Sequence, residues 1–315
     1  MALDLFNLLF FPAGLVLIGA GLLYQWADRK LLARFQNRLG PRWFQPFADA
    51  LKLLGKEEIR PAGSSPVLFA FLPILALAGA LTAALYVPLF GLAPIFSFPG
   101  DLIVTLYLMS LLTLCIGLAG AQTRDRFSLA GALRVFTQMF AYEAPFILAL
   151  LSPAVALMLA GRPGSWQIGE LAKATAEQPW FLLTLPITFV VALVGLMGKL
   201  ELPPFDAPEA ETEIVAGALT EYSGRGLALF TLARAVELVV GLTLVTALYL
   251  GGVGSGPLAA VLFTAKTVGL LLIIVVLQTL LARLRIDQTV NLWWRAGAVL
   301  VLAQWLLLLL FRVLQ

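Results

Sequence analysis

Leu258-Ala-Ala-Val-Leu-Phe-Thr-Ala-Lys-Thr-Val-Gly-Leu-Leu-Leu-Ile-Ile-Val-Val-Leu-Gln-Thr-Leu-Leu281 carries one charged residue, Lys266. As a helix the run is long enough to cross a hydrocarbon core of roughly 30 Å. Similar runs occupy 5–27, 67–90, 102–120, 131–160, 180–199, 227–250 and 293–312, separated by Pro, Gly or charged residues. In a chain of 315 residues that is 61% hydrophobic and 12% charged, this pattern excludes a water-soluble domain. It predicts an all-α polytopic membrane protein with about eight transmembrane helices. No repeat or low-complexity linker divides the chain, so 1–315 reads as a single membrane domain.

The segment 43–56 is different. Trp43, Phe44, Phe47, Ala48, Leu51 and Leu54 recur at helical spacing, with Asp49, Lys52 and Lys56 on the other side, which predicts an amphipathic helix lying at the membrane surface. The first apolar run lacks a basic lead-in and is followed by Asp28, Arg29 and Lys30, as expected of a retained span rather than a cleaved signal. The connections 28–66, 121–134, 200–226 and 282–295 hold most of the 21 Lys and Arg, whereas the alternate connections have only Arg162 and Lys173. The first set is therefore expected in the cytoplasm and both termini on the outer side of a prokaryotic cytoplasmic membrane. Cations of loop 28–66 near the surface would attract anionic lipid headgroups, by on the order of 1 kcal/mol each.

Absences narrow the chemistry. With no His and only Cys115, inside an apolar run, the chain cannot by itself ligate haem, hold an iron–sulfur cluster or build an ordinary zinc site. It has no glycine-rich nucleotide motif, and nothing in it points to nucleic acid. Electron transfer is expected in other subunits, and the chain is read as non-catalytic on its own.

What remains are acids and a few buried charges. Glu201, Asp206, Glu209, Glu211, Glu213 and Glu221, six of the 18 acidic residues, fall in one connection between two spans. Phe205, Ile214, Val215 and Tyr222 are interleaved with them, which implies a packed loop. Pro203, Pro204 and Pro208 prevent a regular helix up to Pro208, after which Glu209–Gly217 is expected to start one, with Glu209 and Glu213 repelling each other on one face and Glu211 on another. Within the spans, Glu143 is followed by Pro145, which frees backbone groups to solvate a carboxyl group able to gain and lose a proton. Arg234 and Glu237 are three apart and are expected to pair. Lys266 has no acidic neighbour in sequence, so its partner is expected on another helix, at Glu143 or the acidic loop.

Pro204-Phe-Asp-Ala-Pro-Glu-Ala-Glu-Thr-Glu-Ile-Val-Ala-Gly217, continued by Thr220-Glu-Tyr-Ser-Gly224, resembles the signature of the membrane-anchor subunit of respiratory complex I and of its relatives, the energy-converting membrane-bound [NiFe] hydrogenases. Arg38-Leu-Gly-Pro41 with Gln45-Pro46, Ala48-Asp49 and Lys52-Leu53 resembles that family's first cytoplasmic loop. Arg283-Leu-Arg-Ile-Asp-Gln288 with Leu292-Trp-Trp-Arg295 resembles the loop before its last span, and Tyr142-Glu143 its paired Tyr-Glu. The resemblance implies a subunit without redox centres that docks a peripheral electron-transfer arm and links its chemistry to proton or sodium movement through antiporter-like membrane subunits.

Carried onto this chain, it makes Glu201, Asp206, Glu209, Glu211, Glu213 and Glu221 the loop facing the arm and Glu143 the start of an intramembrane path that Arg234, Glu237 and Lys266 extend. Arg38, Asp49, Lys52, Lys199, Arg225, Arg283, Arg285 and Asp287 become docking residues. Only Arg42-Trp-Phe separates Pro41 from Gln45, and Lys199 and Arg234 stand where quinone enzymes usually have Glu. Those departures resemble the hydrogenase branch, which implies a ferredoxin-linked assembly with peripheral large and small subunits, an iron–sulfur subunit, and the [NiFe] centre and clusters held by those partners. The alternatives are a quinone-site subunit of a quinone oxidoreductase, a stand-alone ion-coupled transporter, or a passive anchor.

Overall fold

The structure is a computed structural model that describes residues 14–160, 166–177, 184–252, 254 and 256–313. Among these residues the fold is helical. Helix α1 (Leu15–Phe35) leads to the surface helix α2 (Gln45–Gly55). Pro66 opens α3 (Pro66–Tyr86), where its missing N–H costs nothing. Helix α4 is Asp101–Gln122, and α5 (Arg126–Leu159) starts where the Asp125 carboxylate accepts the Ser128 N–H at 2.8 Å. Helix α6 (Ile168–Glu177) and the short α7 (Pro186–Lys199) follow. Helix α8 (Gly224–Val245) runs on through a wide turn at Thr246–Leu250, and α9 is Pro257–Leu280. Helix α10 covers Ile286–Leu292, passes a wide turn at Trp293–Gly297 and continues over Ala298–Val313.

Six of these helices (α3, α4, α5, α8, α9 and α10) are long and apolar enough to cross a membrane, and α7 is a shorter apolar helix. The expected span 5–27 begins outside the described residues. Its described part continues to Phe35, because Gln25–Phe35 holds no helix breaker, so Asp28, Arg29 and Lys30 ride on α1 rather than in the connection after it. The expected span 180–199 also begins partly outside, and Arg162 lies outside altogether. The predicted surface helix shortens to 45–55, with Trp43 and Phe44 exposed ahead of it.

Helix α8 is apolar on all sides and central: 83% of its apolar stretch is buried, against 22% for α10 at the periphery. It packs on α1, α3, α4 and α7, and α5 packs between α4 and α7. With 34 residues α5 is about 51 Å long, well beyond the hydrocarbon core, so its first turns project out of the membrane as a platform for the acidic connection.

That connection is strapped down. Ser128 donates to the Ala218 carbonyl at 2.8 Å. A Cβ on Gly131 would lie 2.3 Å from the Ala218 nitrogen, and one on Gly217, at φ +60°, 2.1 Å from the Pro208 carbonyl oxygen. Only glycine permits either approach. Because the loop is pressed onto α4 and α5 in this way, the expected helix over 209–217 does not form. Short turns at Ala207–Glu209 and Glu211–Ile214 replace it, broken by Val215 at φ +62°, so Glu209 and Glu213 do not share a helix face.

Candidate functional site

The end of α7 organises the site. The Leu202 N–H bonds the Met197 carbonyl at 3.0 Å and the Glu201 N–H that of Gly198 at 3.3 Å, with Glu201 at φ +53°. This is the reverse-turn helix end that normally places Gly at the left-handed position. Glutamate there is strained, on the order of 1 kcal/mol or more. The turn aims Lys199 and Glu201 into the interior, where their side chains are 1% and 6% exposed.

Two acid–base–acid groups result. Near the acidic connection, Arg234 of α8 bonds Glu201 at 2.7 Å through one guanidinium nitrogen and Glu209 through the other. Deeper, Lys199 lies 3.9 Å from Glu237 of α8 and donates to the Ser110 hydroxyl of α4 at 3.4 Å, while Ser110 bonds the Glu143 carboxylate. The Tyr142 ring faces the ammonium, 5.9 Å from its centroid. A cavity of about 10 Å³, room for about one water, joins the groups and is lined by Thr113, Ile116, Lys199, Glu201, Arg234 and Glu237. One oxygen each of Glu201 and Glu237 is buried there without a hydrogen-bond partner among the described residues. This series of charged groups opens on a pocket of about 300 Å³ lined by Gln25, Asp28, Arg29, Glu201, Glu209 and Arg234, among others. It ends at Glu143, which is half-buried beside the exposed Ala144.

Several expectations are corrected by this geometry. Arg234 does not pair with Glu237; it reaches Glu201 and Glu209, 33 and 25 residues away, and Glu237 faces Lys199 instead. Lys199, expected at the docking surface, is buried because it is the last inward-facing residue of α7. Lys266 meets neither Glu143 nor the acidic loop: its ammonium donates to the Leu250 and Gly251 carbonyls at 2.8 and 3.2 Å, at the end of the α8 turn. The remaining acids of the loop spread out. Arg283 holds Asp206 through two nitrogens, Arg134 holds Glu213 at 2.6 Å, and Glu221 is half-buried. The Glu211 side chain lies outside the described residues.

Arg38, Lys52, Arg225, Arg283, Arg285 and Asp287 are exposed, and Asp49 bonds Gln45 at 2.9 Å near Arg29. Arg134, Arg283, Arg285, Glu213 and Asp287 border a depression of about 450 Å³. Three site residues escaped the sequence reading. Ser110 bridges the two halves of the deep group, and Gln138 ties the loop to α7 through the Gly198 and Phe205 carbonyls at 3.0 and 2.7 Å. Asp28 lines the pocket and accepts from Gln278 at 3.1 Å. Ser110 and Gln138 are uncharged polar residues inside apolar runs, and that was their available signal.

Burial pushes the Glu201 carboxyl up to about 7; the nearby Glu209 adds to the rise, and Arg234 opposes it. Glu201 therefore changes charge near neutral pH. The sign is that of a raised acid: the folded state keeps a proton that the unfolded chain releases near its ordinary value of 4.5. The stability this contributes is complete at low pH and is lost as pH rises to about 7. The infrared signal of a protonated carboxyl is expected to fall through that range and to be missing from Glu201→Gln; a signal unaltered by the substitution would refute the assignment.

Comparison with known proteins fits this architecture. The NADH dehydrogenase family matches residues 7–309. The H subunit of the NADH-quinone oxidoreductase of Dehalococcoides mccartyi is 33% identical over 290 residues, covering 90% of this chain and 79% of that one. One of the H subunits of the same type of enzyme in Geobacter metallireducens is 34% identical over 308 residues, covering 90% and 91%. In fold, the chain is similar to one in the archaeal membrane-bound sulfane sulfur reductase, a respiratory membrane complex, with TM-score 0.84 and 23% identity over 98% of this chain and all of that one. The helices and the match together define a multi-pass membrane subunit of a complex I-like oxidoreductase. The chain belongs to the NADH dehydrogenase family, among the H subunits of the NADH-quinone oxidoreductase type.

Proposed function

We propose that this chain is the redox-centre-free coupling subunit of a ferredoxin-linked, energy-converting complex of the membrane-bound [NiFe] hydrogenase type. The observation carrying this reading is the series of charges that runs from the acidic loop through part-buried Arg234 and buried Glu201, Glu237 and Lys199 to half-buried Glu143. A passive anchor has no use for it, since buried charges are costly to keep. The connections after α1, α4, α7 and α9, with the helix ends that flank them, face the cytoplasm and dock a peripheral arm whose subunits hold the [NiFe] centre and iron–sulfur clusters. A redox change in the arm repositions or protonates the loop and biases the deep group. Glu143, half-exposed where α5 would otherwise face lipid, hands the charge to an antiporter-like membrane subunit that covers it.

A quinone-site subunit is the second reading, favoured by the names of the NADH-quinone oxidoreductase relatives. The pocket that would take the headgroup argues the other way. Small-molecule sites are mostly apolar with few polar groups, whereas three acids and two arginines line this one, and Arg234, held by Glu201 and Glu209, stands at its inner end. Extraction of the intact complex in mild detergent, with assays for nickel and for hydrogen evolution from a reduced low-potential donor, separates the two. Nickel with hydrogen evolution is the expected result; an iron–sulfur assembly that lacks nickel and reduces quinone would overturn the branch assignment.

A further inference from the structure

We propose that Lys199 is the residue that makes the intramembrane path select protons over sodium ions. This inference rests on the coupling role proposed above. The deep group offers what an alkali cation needs: the carboxylates of Glu237 and Glu143, the Ser110 hydroxyl bonded to Glu143, and a Glu237 oxygen, on a side chain 2% exposed, that faces Lys199 but accepts no hydrogen bond among the described residues. The centre of that arrangement is already filled. The Lys199 ammonium stands 3.9 Å from Glu237 and 3.4 Å from Ser110, and its own side chain is 1% exposed.

A second cation placed among the same oxygens would sit against this fixed positive charge, in surroundings where little solvent screens the repulsion. A proton has no such difficulty, because it becomes part of a carboxyl group and needs no ligand shell. The two carboxylates outnumber the one ammonium, so the group has one uncompensated negative charge and binds one proton without displacing the lysine. The outer group repeats the pattern, with Arg234 between Glu201 and Glu209. Arginine does not give up its charge, so cations are refused there too. Lys199 is thus an occupant built into the chain where a sodium-binding variant would have an opening.

The test is equilibrium binding of radioactive sodium to the purified intact complex, with choline replacing sodium at constant ionic strength. Sites on other subunits give a background shared by all variants. Lys199→Gln is expected to bind one more Na⁺ per complex than the wild type, and Lys199→Gln combined with Glu237→Gln to lose that gain. A Lys199→Gln complex that assembles and transfers electrons yet gains no sodium overturns the proposal. Should Lys199→Gln not assemble, the near-isosteric Glu237→Gln decides: unchanged sodium binding is expected, and loss of a bound Na⁺ with Lys199 in place overturns it. Failure of the coupling role is recognised separately, by proton movement per electron that does not respond to Glu143→Gln.

Discussion

Glu143→Gln is expected to reduce ion movement per electron about 100-fold or more in membranes where the intact complex still assembles, since a positioned proton-transfer group typically contributes 10²–10⁴-fold. Glutamine keeps the shape and can still accept the Ser110 hydrogen bond, so the change removes little except the ability to hold a proton. Glu143 is the last acid of the described path and the one nearest the surface where a neighbour would sit. Interrupting the proposed path there leaves the acidic loop and its salt bridges untouched. Ion movement and electron transfer measured in the same vesicles decide the matter, and an unchanged ratio of the two would remove Glu143 from the path.

The second large effect is structural. Arg234→Met takes the one base from between Glu201 and Glu209, and breaking a buried pair by removing one partner costs roughly 3–5 kcal/mol. Arg234 is 26% and Glu209 40% exposed, so solvent screening brings the cost toward the lower end of that range. The loop 200–226 should become open to proteolysis, and under the proposed docking role the complex should lose its peripheral arm during purification. Adding Glu201→Gln should recover part of the loss, because the two residues share one interaction and their effects do not add. An Arg234→Met complex with the arm retained and the loop as resistant as in the wild type would show that the loop is held by Ser128, Gln138 and the glycine contacts alone.

The spans were legible in the sequence because apolar length is a property of each segment by itself. The limits of that reading show at Arg234. Sequence proximity offers Glu237 three residues on, whereas the helix end at Glu201 and the strapped loop deliver partners from 33 and 25 residues away. The same limit applies to the loop helix. Local propensity favours Glu209–Gly217, but the close packing of Gly217 on Pro208 and of Ala218 on Gly131 holds the backbone in another conformation. Lys266 illustrates a third case: its partners are backbone carbonyls, freed where α8 ends in a wide turn, and no side-chain pattern announces them.

Lys199 and Glu201 stand on either side of a single helix terminus, two residues apart, yet each belongs to a different charged group. Two residues of backbone span at most about 7 Å, and here that short piece is locked by hydrogen bonds to Met197 and Gly198. Such a segment behaves as a stiff crank rather than a tether. A displacement imposed on the loop at Glu201 by a docked partner would therefore reach the Lys199 ammonium through backbone alone, without side chains rearranging one after another.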